Sequence, residues 1–143
     1  MTPPLSQTRG AAYGASGTRS RLLIADDDPV VRSALGISLS DEFELAGVAG
    51  DAQEAIRLAE LEHPDVALVD VEMPGGGLFA VQGIVRVSPG TAIVVLSVDE
   101  IEGGVRELIA AGAVAYRRKG IEPRALAASL RSAITAHGAA GPT

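Results

Sequence analysis

Three stretches of the chain are apolar without interruption: Leu22–Ala25, Val66–Val69 and Ala92–Leu96. None alternates apolar with polar residues, so each reads as a strand covered on both faces, the pattern of central strands in a parallel sheet. The runs end on polar side chains, Asp26, Asp70 and Ser97 respectively. Two weaker stretches, Glu44–Ala49 and Ala113–Lys119, hold charges (Glu44; Arg117 and Arg118) that suit strands at the edges of a sheet.

Helical spacing fills the intervals. Asp28 before Pro29 marks a helix start, with Asp28 as N-cap and Pro29 at the first helical position. Val31, Leu35 and Leu39 then recur at four-residue spacing up to a stop near Ser40. Asp51 opens a second helix, whose Ala52, Ala55, Ile56 and Ala59 form one face and which Pro64 ends. A third is predicted from about Leu78 to Val87, ahead of Pro89. The fourth begins loosely, because Gly103 and Gly104 each cost about 1 kcal/mol relative to Ala inside a helix. Val105, Leu108 and Ile109 are its predicted buried face. Pro123 begins the fifth, lined by Leu126, Leu130 and Ile134.

Five strands alternating with five helices predict an α/β fold: a doubly wound, five-stranded parallel sheet with right-handed crossovers. Central apolar strands and charged edges are compatible with the order 2-1-3-4-5, in which the first and third strands are neighbours. The 143 residues suffice for one domain. Residues 1–20, rich in Gly, Ser and Thr, read as a disordered arm, 21–137 as the domain, and 138–143 as a tail or linker start.

Composition narrows the chemistry. Hydrophobic residues make up 47% but aromatic ones only 3%, so the core must be built from Ala, Val, Leu and Ile. Twelve Lys and Arg against 18 Asp and Glu give a net charge of -6, which argues against tracking a nucleic-acid backbone or binding an anionic membrane. The absence of Cys removes disulfides, a thiol nucleophile and a thiolate zinc site. No apolar run approaches the ~18 residues of a membrane span. The N-terminal arm lacks the apolar segment of an export signal, so the expected location is cytoplasmic.

Ligands of open parallel sheets bind where the loops diverge at the strands' C-terminal lip. The order 2-1-3-4-5 brings Asp26, Asp27 and Asp70 together there. Three adjacent carboxylates repel one another, which is tolerable only with a cation among them or a proton on one. Hard oxygen ligands that leave positions open for water and a phosphate select magnesium. The same lip receives Ser97 and Lys119. Three acids and one lysine leave -2, which a divalent ion neutralises. A hydroxyl, an ammonium and a magnesium ion around one carboxylate make a phosphoryl site. Asp28 is accounted for as a helix cap. Gly75–Gly77 follows the Asp70 strand and serves a tight turn rather than an anion cradle. His63 and His137 have no companion ligands.

These residues resemble the receiver domains of bacterial two-component response regulators, from Arg21 to about Ala136. The motifs are LLIADDDP, DVALVDVEMPGGG, VVLSV and AGAVAYRRK, in that order, with wording nearest the nitrate-regulator branch. The resemblance implies a flavodoxin-like receiver fold and a phosphorylation switch in which Asp70 accepts phosphate from a histidine kinase. It implies that Asp26 and Asp27 position Mg2+ with help from the backbone carbonyl of Glu72, and that Ser97 and Lys119 grip the phosphoryl group. Tyr116 then occupies the aromatic-switch position, turning from exposed to buried as Ser97 moves. The switched surface is the fourth helix, fifth strand and fifth helix, open to a homodimer partner or a downstream protein. Such a domain is a phosphoacceptor, not an enzyme in the ordinary sense, its chemistry being self-catalysed phosphoryl transfer and autodephosphorylation.

The chain departs from the family in four places. The Met-Pro turn is one residue short, and Val98 replaces the small residue usual after the hydroxyl, which narrows access to Asp70 and alters dephosphorylation. Gly120 stands where Pro is common, and Gly103–Gly104 loosen the switch helix. Two rival readings stay open. In a haloacid-dehalogenase-type phosphatase, Asp26 would be the nucleophile of a D-x-D-x-V motif formed by Asp26 to Val30, although only Glu122 offers a later acid. In a degenerate receiver, the domain would serve only as an interaction module. After one receiver too few residues remain for the DNA-binding domain of nitrate-regulator relatives, so output is expected through protein contacts or through a domain beyond the tail.

Overall fold

In the computed structural model, residues 19–98 and 102–140 are described. The elements run β1 (Ser20–Ala25), α1 (Pro29–Leu39), β2 (Phe43–Ala49), α2 (Ala52–Glu62), β3 (Val66–Asp70), α3 (Gly77–Val87), β4 (Ala92–Ser97), α4 (Glu102–Ala111), β5 (Ala115–Arg118) and α5 (Pro123–Ala140). All strand pairs are parallel and the order is β2-β1-β3-β4-β5. The α/β class and the strand order agree with the sequence reading.

The unbroken apolar runs have a direct physical reason. Successive strand residues point to opposite faces, and both faces are covered. Leu23, Ala25, Ala67, Val69, Ile93 and Val95 meet α2, α3 and Leu108 of α4 on one side. Their neighbours Leu22, Ile24, Val66, Leu68, Val94 and Leu96 meet Leu39 of α1 and Leu126 and Leu130 of α5 on the other. The edge strand β2 pairs Leu22 with Leu45 but Leu23 with Gly47, so Ala46 is an extra bulged residue. A bulge twists an edge and discourages pairing with another strand.

Helix starts follow the capping logic. Asp28 Oδ1 accepts the Val30 N–H at 2.9 Å, with Pro29 at the first position of α1. Asp51 Oδ1 accepts the Glu54 N–H at 2.8 Å, while Glu54 Oε1 reaches back to the Gly50 N–H at 3.0 Å, a reciprocal closure close to a capping box. At the other end of α2, His63 takes the left-handed conformation (φ 44°) that often ends helices before a proline.

Some boundaries differ from the sequence reading. Strand β5 is shorter than Ala113–Lys119, because the amides of Gly112 and Ala113 still close α4 by bonding to Ile109 and Leu108 carbonyls. Ile109 is 43% exposed rather than buried; the inward face runs through Val105 and Leu108, and residue 109 lies a further 100° around the helix. At the ends, β1 already includes Ser20, and α5 continues through Gly138 to Ala140, where a tail was expected. The rest of the predicted arm and tail, residues 1–18 and 141–143, lies outside the described residues.

The β3–α3 loop positions the rim beside Asp70. Gly75 and Gly76 have φ of 90° and 85°, a region open to glycine, and the Pro74 carbonyl accepts the Ala52 N–H at 2.9 Å, docking the loop on α2. Gly77, which opens α3 one residue before the predicted start, has no room for a side chain: a Cβ would stand 2.6 Å from Val71 Cα. Backbone cannot yield as a flexible side-chain tip can. Gly77→Ala is therefore expected to lower stability by about 1–3 kcal/mol, read as a lower urea midpoint; an unchanged midpoint would show that the loop relaxes freely.

Candidate functional site

Because β1 and β3 are adjacent, with Ala25 beside Val69, Asp26 and Asp70 meet at the C-terminal rim. They are 1% and 2% exposed, rare values for carboxylates. Asp27, which continues the chain, is exposed. One carboxylate oxygen from each of Asp26, Asp27 and Asp70 lies within 4.8 Å of the others. Lys119, just beyond β5 and the only lysine of the chain, brings Nζ to 3.0 Å from Asp26 Oδ2 and 3.1 Å from Asp70 Oδ2.

Each group is held by backbone. Asp26 donates its N–H to the Ala49 carbonyl at 3.0 Å and accepts the Asp28 N–H on Oδ1 at 2.9 Å. Asp70 Oδ1 accepts the Glu72 N–H at 3.0 Å. The Lys119 N–H donates to the Ser97 carbonyl at 2.9 Å, fastening the end of β5 to β4 so that the ammonium can reach β3. Ser97 is 6% exposed at the end of β4, one residue past the Leu96 that pairs with Asp70.

Burial by itself disfavours the Lys119 charge, but the close carboxylates of Asp26 and then Asp70 outweigh it and raise its pKa above the ordinary 10.5. Asp26 Oδ2, though in ion-pair contact with Lys119, is buried without an aligned hydrogen bond, an expensive state for a polar atom unless something else uses the lone pair. Three hard carboxylates converging beside that oxygen fit a small divalent cation such as Mg2+, whose oxygen ligands sit at about 2.0–2.1 Å.

The response regulator receiver domain family matches residues 22–131. The chain belongs to that family. The transcriptional regulatory protein YxjL of Bacillus subtilis, itself uncharacterized, is 39% identical over 116 residues, 79% of this chain and 53% of its own length. The nitrate/nitrite response regulator protein NarL of Escherichia coli is 34% identical over 115 residues, 78% of this chain and 53% of its own, in keeping with a resemblance to the nitrate-regulator branch. The chain thus spans about half the length of these curated relatives. The receiver domain of sensor histidine kinase PA1611 from Pseudomonas aeruginosa, solved with a magnesium ion coordinated in its active-site cleft, is similar in fold at a TM-score of 0.73. It is 22% identical, and the match covers 82% of this chain and 99% of that domain.

In this receiver the rim gathers Asp26, Asp27, Asp70 and Lys119, with Ser97 at the end of the neighbouring strand. Tyr116 is half-buried against the α2–α3 side of the core, not exposed as the resemblance implied. Val98 is exposed beside Ser97. Gly120 has φ of 91°, closed to proline, whose ring holds φ near -65°. Sequence reasoning missed Arg32, whose Nη1 donates to the Asp26 carbonyl at 2.8 Å; its one available signal was a place one turn into α1, four residues after the cap. Among the described residues no helix is long and apolar enough to cross a membrane.

A raised folded-state pKa means that Lys119 contributes its full stability below pH 10.5 and loses it as the pH rises through the higher folded value. Without divalent cations, urea unfolding of wild type and Lys119→Met should therefore differ most below pH 10.5 and converge as the pH rises above it. A pH-independent difference would mean that Lys119 stabilises through packing rather than charge.

Proposed function

We infer that the domain is a phosphorylation switch in two-component signalling, in which Asp70 accepts a phosphoryl group from a histidine kinase. The observation that carries this is the single ammonium of Lys119 shared between two buried carboxylates beside a third. Asp26, Asp27, Asp70 and the backbone carbonyl of Glu72 would hold Mg2+, which when bound neutralises charge on the reacting phosphoryl oxygens.

A carboxylate oxygen of Asp70 attacks phosphorus as the P–N bond of the kinase's phosphohistidine breaks. The bond's electron pair leaves with the imidazole, which takes a proton from water, and an acyl phosphate remains on Asp70. Lys119 exchanges part of its contact with Asp70 for a phosphoryl oxygen, and the Ser97 hydroxyl donates to another. Tyr116 moves further into the space beside Ser97, and the bias passes to the face of α4, β5 and α5, as a population shift between existing states. Water attack on the acyl phosphate returns the domain to its start, at a rate that Val98 tunes by its bulk beside Ser97.

The phosphatase alternative would need a pair of acids after Lys119 to hold the metal, and the sequence offers only Glu122, whose Oε1 accepts the Ala125 N–H near the start of α5. Incubation with Mg2+ and a small acyl phosphate donor should add one phosphoryl group by intact mass. Asp70→Asn and chelation of the metal should each abolish the gain. Absence of a gain in the wild type would favour the interaction-module reading, and a phosphoryl group mapped to Asp26 would favour the phosphatase.

A further inference from the structure

The main chain of Asp26 makes a hydrogen bond that the sheet does not supply. Its N–H continues the β1–β2 ladder onto Ala49, and the parallel register would next pair its carbonyl with the amide of Asp51. There β2 has ended and the chain has turned to cap α2. The Gly50 N–H between them goes to Glu54 Oε1. The guanidinium of Arg32 takes the ladder's place, with Nη1 2.8 Å from the Asp26 carbonyl oxygen.

The reach of Arg32 is set from both ends. Its own N–H makes a 3.0 Å bond to the Asp28 carbonyl, anchoring it at the start of α1. The guanidinium lies over Gly50, where an added Cβ would stand 3.0 Å from Nη1. Asp26 consequently has a directed partner at its N–H, its C=O and its Oδ1, and lacks an aligned hydrogen bond only at Oδ2, which faces Lys119 and the other acids.

We propose that Arg32 is a positioning residue for the cation site. The carbonyl it grips belongs to the peptide joining Asp26 to Asp27, so one hydrogen bond sets the direction in which both carboxylates leave the chain. The inference rests on the reading of Asp26, Asp27 and Asp70 as magnesium ligands. The charge of Arg32 acts in the opposite sense, since a guanidinium bonded to a ligand residue repels a divalent cation. Alignment and charge therefore predict opposite effects of removing it: alignment says that binding weakens, charge that it tightens.

The test is calorimetric titration of the full chain with Mg2+ alone, comparing wild type, Arg32→Met and Arg32→Lys, with thermal midpoints measured with and without the ion. Losing an outer partner of a metal ligand typically weakens affinity 10–100-fold. Loss of repulsion places Arg32→Met at the lower end, roughly tenfold. Arg32→Lys, which keeps the charge without the planar fork, should also bind more weakly than wild type. The thermal gain from Mg2+ should shrink in both variants, whereas a merely structural role would lower the midpoints equally with and without the ion. If Arg32→Met fails to fold, Arg32→Lys decides: a raised Kd supports the proposal and an unchanged one overturns it. Wild type that binds while the variants bind equally well or more tightly overturns the role of Arg32 alone. Wild type that does not bind overturns the magnesium reading and this role with it.

Discussion

Two carboxylates with almost no access to water share one ammonium at the rim where β1 and β3 meet. Several kcal/mol of desolvation attend each buried ion, and the arrangement persists only because the charges are close and the remaining lone pairs are mostly met by backbone amides. Much of the surrounding structure serves that constraint. Strand β1 must lie against β3, the turn after β1 must present the Asp28 N–H to Asp26, the turn after β3 must present the Glu72 N–H to Asp70, and β5 must end where Lys119 can cross β4.

The arrangement is stable without being saturated. One ammonium does not balance three acids, and Asp26 Oδ2 retains a lone pair with no aligned donor. That imbalance of charge leaves the rim electrostatically suited to a cation. Rigidity comes from below the rim, from aliphatic layers on both faces of the sheet. The small residues bring elements close together: Ala52, Ala55 and Ala59 on α2 are fully buried, and Gly83 of α3 sits so near Ile56 that a Cβ would fall 2.2 Å from its Cδ1. A chain with few aromatic residues must pack by close approach rather than by bulk.

Much of this architecture was legible in the linear pattern. Uninterrupted apolar runs identified β1, β3 and β4 as doubly covered, charges marked the edges, and Asp28, Pro29, Asp51 and Pro64 located helix ends, because capping and proline sterics act within a few residues. Ile109 was misread because an apolar residue near a helix's buried face need not point inward. The ends of β5 and α5 were misplaced because helix closure at Gly112 and Ala113, and the continuation of α5 past Gly138, depend on backbone hydrogen bonding that composition does not encode.

The sequence alone determined the inventory: an acidic pair after one buried strand, an acid after another, a hydroxyl and a single lysine after two more, in an order that strand pairing could bring to one rim. Only the tertiary structure decided how they are joined. The bridging of Asp26 and Asp70 by one Nζ, the uneven supply of donors to the Asp26 oxygens and the grip of Arg32 on the Asp26 carbonyl all depend on distances of about 3 Å. They join residues that are remote along the chain or follow a turn, and a one-dimensional pattern can name such partners but cannot aim their atoms at one another.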